Sequence, residues 1–277
     1  MELGISSLGY IIDLGLTNNF ENLFDLIYNA SELCLNFAEE NDIKICELVL
    51  DPPEVFFGNE RKKFIDLCNS YPKIKKQVHG PFLDLCLCSH NFFISEATVK
   101  MYVESAVICN EIKSKILTIH PGLGHYLIKK LHRFNIQRLV EASKELLYDS
   151  ANIDITICIE NMPKNVKIFL TINDFESYFK ELNRNDMFLT WDTSHSWTCD
   201  VDVDELWKKF NKIIKNIHLV DNNNKDTDLH PALGTGKVDF TKIIDVVQNF
   251  SYNGALVVEL SSAEDLPQSL NFIKKYI

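Results

Sequence analysis

The sequence predicts an α/β fold, a single-domain (β/α)8 TIM barrel spanning residues 1–277. Three observations lead there. Eight short runs rich in aliphatic and β-branched residues recur along the chain, segments with helical spacing separate them, and 277 residues is close to the roughly 250 typical of such barrels. The first four runs are ELGISS from Glu2, ICELVLD from Ile45, KQVHGPF from Lys76 and KILTIHPG from Lys115. ITICIEN from Ile155, MFLTWDTSH from Met187, NIHLVDN from Asn216 and ALVVELSS from Ala255 complete the set. Most are continuous apolar runs rather than alternating ones, as expected of parallel strands covered on their outer face.

Seven segments carry the helical period. They begin at Phe20, Ile94, Ile136, Ile172, Val203, Asp239 and Ser262. In VESAVICNEI, for example, Val103, Ala106, Val107, Cys109 and Ile112 keep to one face at three-to-four spacing. Asn173, Thr241 and Ser262 stand where N-caps are expected. No Pro/Gly/Ser-rich linker divides the chain, and the Asn-rich stretch Asp221 to Asp228 is short. An open doubly wound sheet is the alternative, but no G-x-G-x-x-G follows the first strand.

Composition narrows the function. With 46% hydrophobic and 24% charged residues, the chain is neither disordered, collagenous nor coiled-coil. It has no apolar run long enough to predict a membrane span, and its opening residues, with an early Glu2, do not resemble a secretion signal. Eight cysteines without a C-x-x-C pair argue against a disulfide scaffold or zinc ribbon and point to a reducing, cytoplasmic compartment. Cys86 and Cys88 alternate as on a strand or loop edge and receive no role. A net charge of -11 argues against duplex binding through a basic surface. The basic stretches Lys73 to Lys76 and Lys129 to Arg133 fall away from the expected mouth and read as solvated helix faces.

The decisive pattern is which residues end the strands. Strand three ends in His79, strand four in His120, strand five in Glu160, and strand six in Asp192 with His195 just beyond. Strand seven begins with His218, the following loop holds Asp228 and His230, and strand eight carries Glu259. The carboxyl ends of barrel strands converge on one face, where chemistry is built. A single strand-end histidine is ordinarily structural, but here five imidazoles and four carboxylates share one face, leaving only His90, His125 and His132 elsewhere. Glu160 and Glu259 sit in apolar strands with no basic residue beside them, and a buried carboxylate needs a cation. Metal is the simplest source of that charge. Imidazole with carboxylate selects zinc, manganese, iron or cobalt over calcium or magnesium. Nine donors exceed one coordination sphere, so two or three ions with bridging carboxylates are expected.

The ordered series H-G-P-F, I-H-P-G, I-E-N, D-T-S-H, H-L-V-D-N, D-L-H-P-A-L-G-T-G and V-E-L resembles the superfamily of endonuclease IV and the xylose isomerase-like sugar isomerases and epimerases. The endonuclease IV branch implies three zinc ions. His79 and His120 would bind the first with Glu160 bridging; Glu160, Asp192, His218 and Glu259 the second; His195, Asp228 and His230 the third. The isomerase branch implies one divalent ion, such as Mn2+ or Co2+, on the tetrad Glu160, Asp192, His218 and Glu259. Glu160 and Glu259 would there shuttle a proton at carbon. Two departures separate the chain from endonuclease IV. Ile5 stands at the position of a first-strand histidine, and GPFLDLC, with Phe82 and Asp84, replaces a duplex-opening stretch. The phrases H-G-P-F-L-D-L and HLVDNNNKDTDLHPALGTGKVDF look more like the sugar phosphate isomerase/epimerase-like group.

Secondary features are read both ways. Gly234-Thr235-Gly236-Lys237 makes a tight turn or, through its N–H groups and Lys237, a phosphate contact. Trp197 packs under its loop or stacks on substrate. Asp84 and Asn161 are candidate acceptors for fixing histidine tautomers. The resulting expectation is a metal-dependent phosphoester hydrolase with Glu160 and Glu259 as catalytic carboxylates. Sugar or sugar-phosphate isomerisation is the close alternative, and a non-catalytic metal-binding barrel the third. DNA is an allowed substrate without support from a basic surface; no membrane partner is expected, and the oligomeric state is not readable.

Overall fold

In the computed structural model, which describes residues 1–51, 53–124 and 131–277 (Pro53 and Glu54 by backbone alone), eight parallel strands close into a barrel in sequence order. They are β1 Glu2–Ser6, β2 Ile45–Val49, β3 Lys75–His79, β4 Ile116–Ile119, β5 Thr156–Glu160, β6 Met187–Asp192, β7 Ile214–Leu219 and β8 Ala255–Val258. All eight expected runs are strands. The outer layer comprises α1 Leu8–Thr17, α2 Leu23–Glu40, α3 Gly58–Asn69, α4 Phe92–Glu111 and α5 His132–Asp149. It continues with α6 Ile172–Leu182, α7 Thr193–Thr198, α8 Val203–Phe210, α9 Phe240–Asn249 and α10 Leu266–Ile273. No helix among the described residues is long and apolar enough to cross a membrane.

Two early helices lie outside the seven expected segments. In α3, GNERKKFIDLCN is mostly polar and buries only Phe64, Leu67 and Cys68, too thin a stripe to read as a period. In α1, LGYIIDLGLT carries two glycines and buries only Gly9. Two caps also differ. The first turn of α6 is closed by a capping box between Thr171 and Asp174, not by Asn173, and α9 is capped by Asp239 rather than Thr241. Ser262 does accept from Glu264 N–H. Strand β7 begins at Ile214, so His218 lies near its carboxyl end rather than at its start.

The interior explains where a site can form. The main apolar core lies between sheet and helices, where Leu48, Val78, Leu117, Ile159, Leu189, Trp191 and Ile217 are fully buried. Inside the barrel, Ile45, Ala255 and Val257 form a separate small plug. Above it the filling is polar. Thr118 and Thr190 hydroxyls meet at 2.8 Å, and the Asn216 amide donates to Glu47 Oε2 at 2.7 Å. A register shift between Leu189 and Thr190 pairs Thr190 with Asn216 and Asp192 with His218, so those residues share the inner face.

Aspartates tie down the loops above the strands. Asp51 accepts Phe82 N–H and Leu83 N–H, both at 2.7 Å, binding the β2 loop to the β3 loop. Asp221, fully buried, accepts four backbone N–H groups, from Asn222, Gly234, Gly236 and Val238. A Cβ on Gly236 would lie 2.2 Å from Asp221 Oδ1, so glycine is required for this close approach. Replacing Asp221 by Ala should lower the unfolding free energy by about 3 kcal/mol, read from urea denaturation; an unchanged midpoint would show that the loop holds itself.

Candidate metal centre

Each candidate donor is placed by the strand that ends in it. His79, Glu160 and Asp192 are the last residues of β3, β5 and β6, and His120 and Glu259 follow β4 and β8 directly. Asp192 has a second task. Its Oδ1 accepts His195 N–H at 2.7 Å, capping α7, so D-T-S-H is a strand end and a helix start that hold His195 one turn above Asp192.

Glu160 is the hub. Its Oε2 lies 3.1 Å from His120 Nε2 and 3.3 Å from His79 Nε2. Its Oε1 lies 3.2 Å from His218 Nδ1 and 3.4 Å from His195 Nδ1. Glu259 Oε2 reaches the same His218 Nδ1 at 3.3 Å. Asp228 stands between His195 Nε2 at 3.1 Å and His230 Nε2 at 3.3 Å. The nine residues therefore meet at one end of the barrel. Within them the trios His79/His120/Glu160, Glu160/Asp192/His195 and His195/Asp228/His230 each bring three donor atoms within 4.8 Å of one another, as metal binding requires.

Two tautomers are fixed by backbone carbonyls, which can only accept. His79 Nδ1–H donates to Gly80 O at 2.8 Å, and His195 Nδ1–H donates to Asn161 O at 2.7 Å. Their Nε2 atoms are left facing Glu160 and Asp228 as ligands. Asn161 thus serves through its main chain, while its side chain donates to Asp192 O. Asp84 is exposed and does not take the part expected of it.

The site also contains Glu47, which sequence reasoning passed over. It is fully buried on β2, and its Oε1 lies 2.8 Å from His218 Nε2, off the line of a hydrogen bond. With His218 and Glu259 it forms a fourth trio of donors. The signal was present: Glu47 interrupts the apolar run ICELVL just as Glu160 interrupts TICIE.

The residues fit divalent cations on physical grounds. Glu47, Glu160, Asp192, Asp228 and Glu259 form no ion pair with lysine or arginine among the described residues. Four buried polar atoms here, Glu47 Oε1, Asp192 Oδ2, His230 Nδ1 and Glu259 Oε2, have no hydrogen-bond partner among the described residues. Such orphans are costly unless something satisfies them. Without metal, imidazolium supplies the charge. Burial opposes protonation of His195 and His218, but Asp192 and Asp228 around the first, and Glu47, Glu160 and Glu259 around the second, hold both well above the ordinary histidine range. His230, opposed by burial but bonded to Asp228, rises to about 9. Burial pushes Asp192 up to about 7 despite the pull of His195.

Above the donors opens a cleft of about 420 Å³ walled by Leu8, Ile12, Phe82, Leu229 and Pro231. Phe82 packs against His79 and His120, with ring centroids at 5.3 and 5.0 Å. The expected substrate contacts lie elsewhere. Trp197 lines a separate groove, where Lys225 Nζ lies 4.8 Å from its ring centroid. Gly234 and Gly236 spend their N–H groups on Asp221, so they cannot cradle a phosphate. Lys237 donates its N–H to Asn222 O and leaves its side chain in solvent. Of the basic stretch Lys129 to Arg133, residues 129 and 130 lie outside the described residues, as does His125. His132 pairs with Asp174, away from the centre.

Comparison with known proteins agrees with the fold. Residues 35–276 match the family described as xylose isomerase-like TIM barrel. The chain belongs to that family. Among its relatives, the uncharacterised protein MJ1311 of Methanocaldococcus jannaschii is 24% identical over all of this chain and 89% of its own. The probable endonuclease 4 of Mycoplasma capricolum is 25% identical over 66% of each. Among solved structures, a D-tagatose 3-epimerase-like protein superposes with a TM-score of 0.82 at 22% identity, covering 100% of this chain and 97% of that one. The IOLI protein, crystallised with a zinc atom, gives 0.77 at 15% identity, covering 100% and 99%. At these identities the structural likeness is one of fold.

Two outcomes follow for this xylose isomerase-like barrel. A histidine whose pKa is raised in the folded state contributes stability that is complete below its unfolded value and lost above its folded one. The chelator-treated protein should therefore lose stability as pH rises from 6.5 through about 9, seen as a falling urea midpoint; a rising midpoint would contradict the assignment. Metal affinity should move the opposite way, because the imidazoles must shed protons to bind. Second, Glu47→Gln should weaken metal binding roughly 10- to 100-fold, measured by chelator competition, with the fold unchanged by circular dichroism.

Proposed function

We propose that this protein is a divalent-metal-dependent enzyme with a multinuclear, zinc-type centre that hydrolyses a phosphoester. The observation that carries this reading is the crowding of Glu160. A carboxylate offers about four lone-pair directions, and four imidazole nitrogens lie within 3.4 Å of its two oxygens. Three of those directions are faced by His79, His120 and His218, and the His195 ring, whose Nδ1–H goes to Asn161 O, stands over the fourth, which crowds out a substrate C–H. Glu160 is therefore suited to joining two ions and unsuited to lifting a proton from carbon. The trio His195/Asp228/His230 points the same way, since one ion held by Glu160, Asp192, His218 and Glu259 has no use for it.

His79, His120 and Glu160 would hold a first ion; Glu160, Asp192, His218 and Glu259 a second; His195, Asp228 and His230 a third. Bound ions would supply Lewis acidity and a water of near-neutral pKa, and would offset phosphoryl charge. The chain's own residues do the rest. Gly80 O and Asn161 O hold His79 and His195 in the ligating tautomer, and Phe82 shields the first trio from bulk water. Among the described residues, no lysine or arginine walls the cleft, which suits a small phosphoester better than duplex DNA.

Sugar or sugar-phosphate isomerisation is the second reading. The small, apolar-walled cleft favours it, as it would suit the face of a sugar ring, and D-allulose is bound by one epimerase of the same fold.

Metal analysis and turnover separate the two. The hydrolase reading expects two to three zinc per chain and hydrolysis of bis(p-nitrophenyl) phosphate. His230→Ala should then lose more than about 100-fold in kcat/KM, beyond the loss typical of removing an outer-shell partner. One exchangeable ion per chain, no phosphodiester cleavage and solvent exchange of a ketose α-proton would overturn it in favour of the isomerase.

A further inference from the structure

The loop after β3 brings two thiols together beside the first metal trio. Cys86 Sγ and Cys88 Sγ lie 3.7 Å apart. Both point at one acceptor, the carbonyl oxygen of Leu123, at 3.6 and 3.3 Å. Their Cα atoms, two residues apart, are separated by about 5 to 7 Å, which spans the range a disulfide needs. Cys86 is partly exposed, whereas Cys88 is 1% exposed behind it. The other close pair, Cys34 and Cys46, is sealed in the core and out of reach of any oxidant.

This pair is fastened to a candidate ligand. Cys88 N–H donates to Pro121 O at 2.9 Å, and Gly122 packs so tightly on Cys86 that a Cβ there would lie 2.6 Å from both Cys86 Cα and Sγ. The segment from Pro121 to Gly124 directly follows His120. The Cys88 N–H bond and the packing of Gly122 on Cys86 thus tie this loop to the backbone that carries an imidazole of the first trio.

We propose that Cys86 and Cys88 form a reversible dithiol–disulfide pair whose oxidation releases the segment behind His120 and weakens metal retention at His79, His120 and Glu160. The thiol chemistry stands alone; the consequence for metal rests on the reading of the first trio given above. The hydrogen bond from Cys88 lowers Cys86 to about 7 against the effect of burial, where thiolate is abundant and still nucleophilic. The oxidant is a low-molecular-weight disulfide. Cys86 thiolate attacks one of its sulfurs, its S–S bond breaks, and one thiolate leaves with the electron pair. Cys88 then gives its proton to solvent and attacks Cys86 Sγ, expelling the second thiolate. Two protein thiols are oxidised and one external disulfide is reduced to two thiols. The sulfurs must close from 3.7 Å to about 2.05 Å, and neither can then donate to Leu123 O.

The test treats zinc-loaded protein with defined ratios of oxidised to reduced glutathione. Trapped thiols are then alkylated, and the peptides mapped by mass. The wild type should show a Cys86–Cys88 disulfide, reversed by a phosphine. Cys88→Ser should hold glutathione at Cys86, and Cys86→Ser should leave Cys88 unreacted. Zinc affinity should fall about tenfold or more on oxidation of the wild type and stay unchanged in both variants. Two separately alkylated thiols in the oxidised wild type, or no glutathione on Cys88→Ser, would overturn the pair. A disulfide that leaves zinc affinity unchanged would overturn the link to His120. If the reduced protein binds no zinc, the metal reading fails, while peptide mapping still decides the thiol chemistry.

Discussion

The Glu160 carboxylate, 2% exposed and facing imidazole nitrogen on every side, is the interaction on which the rest of the structure depends. Desolvation alone would force such a group to take up a proton. The surrounding histidines reverse that, and its pKa is held well below the usual carboxylate range. Because one oxygen faces His79 and His120 and the other faces His195 and His218, the ends of β3, β4 and β7 and helix α7 meet at a single side chain on β5. Removing Glu160 would leave His79 and His120 without their shared carboxylate and His218 with only Glu47 and Glu259.

The scaffold is organised around that demand. A barrel filled with branched aliphatic layers would give stability but no site. Here an apolar cluster of Ile45, Ala255 and Val257 lies at the base, and hydroxyls and amides from Thr118, Thr190 and Asn216 make a polar floor. The loops above would otherwise be free to move. Asp51 and Asp221 hold them by accepting backbone N–H groups, and Asp13 joins α1 to the loop after β8 through Ala263 N–H and the Ser262 hydroxyl. Acidic side chains thus do two opposite jobs in this chain: saturated with N–H donors they are structural, and left with bare oxygens they are available to cations.

That distinction marks what could be read from the residues alone. A Glu at the end of an apolar run such as TICIE or ALVVE announces a buried charge, and strand order in a barrel says at which end it emerges. The strands, and the convergence of nine candidate donors at one end, were legible for that reason. Depth inside the barrel is not written in a linear pattern, so Glu47 looked like any polar interruption although its burial is complete. Likewise Gly234 and Gly236 show that a turn is tight, yet only the fold reveals that Asp221, thirteen and fifteen positions earlier, has already claimed their N–H groups. The nearness of Cys86 to the segment after His120 depends on how two loops pack and has no local signature.

On the proposed function, Glu160 would join two ions. X-ray absorption at the zinc edge on the metal-loaded protein tests it most directly. The account predicts mixed nitrogen and oxygen neighbours with no sulfur, and a zinc–zinc scattering path at roughly 3.5 to 4 Å. A spectrum with no second zinc within that distance would contradict it.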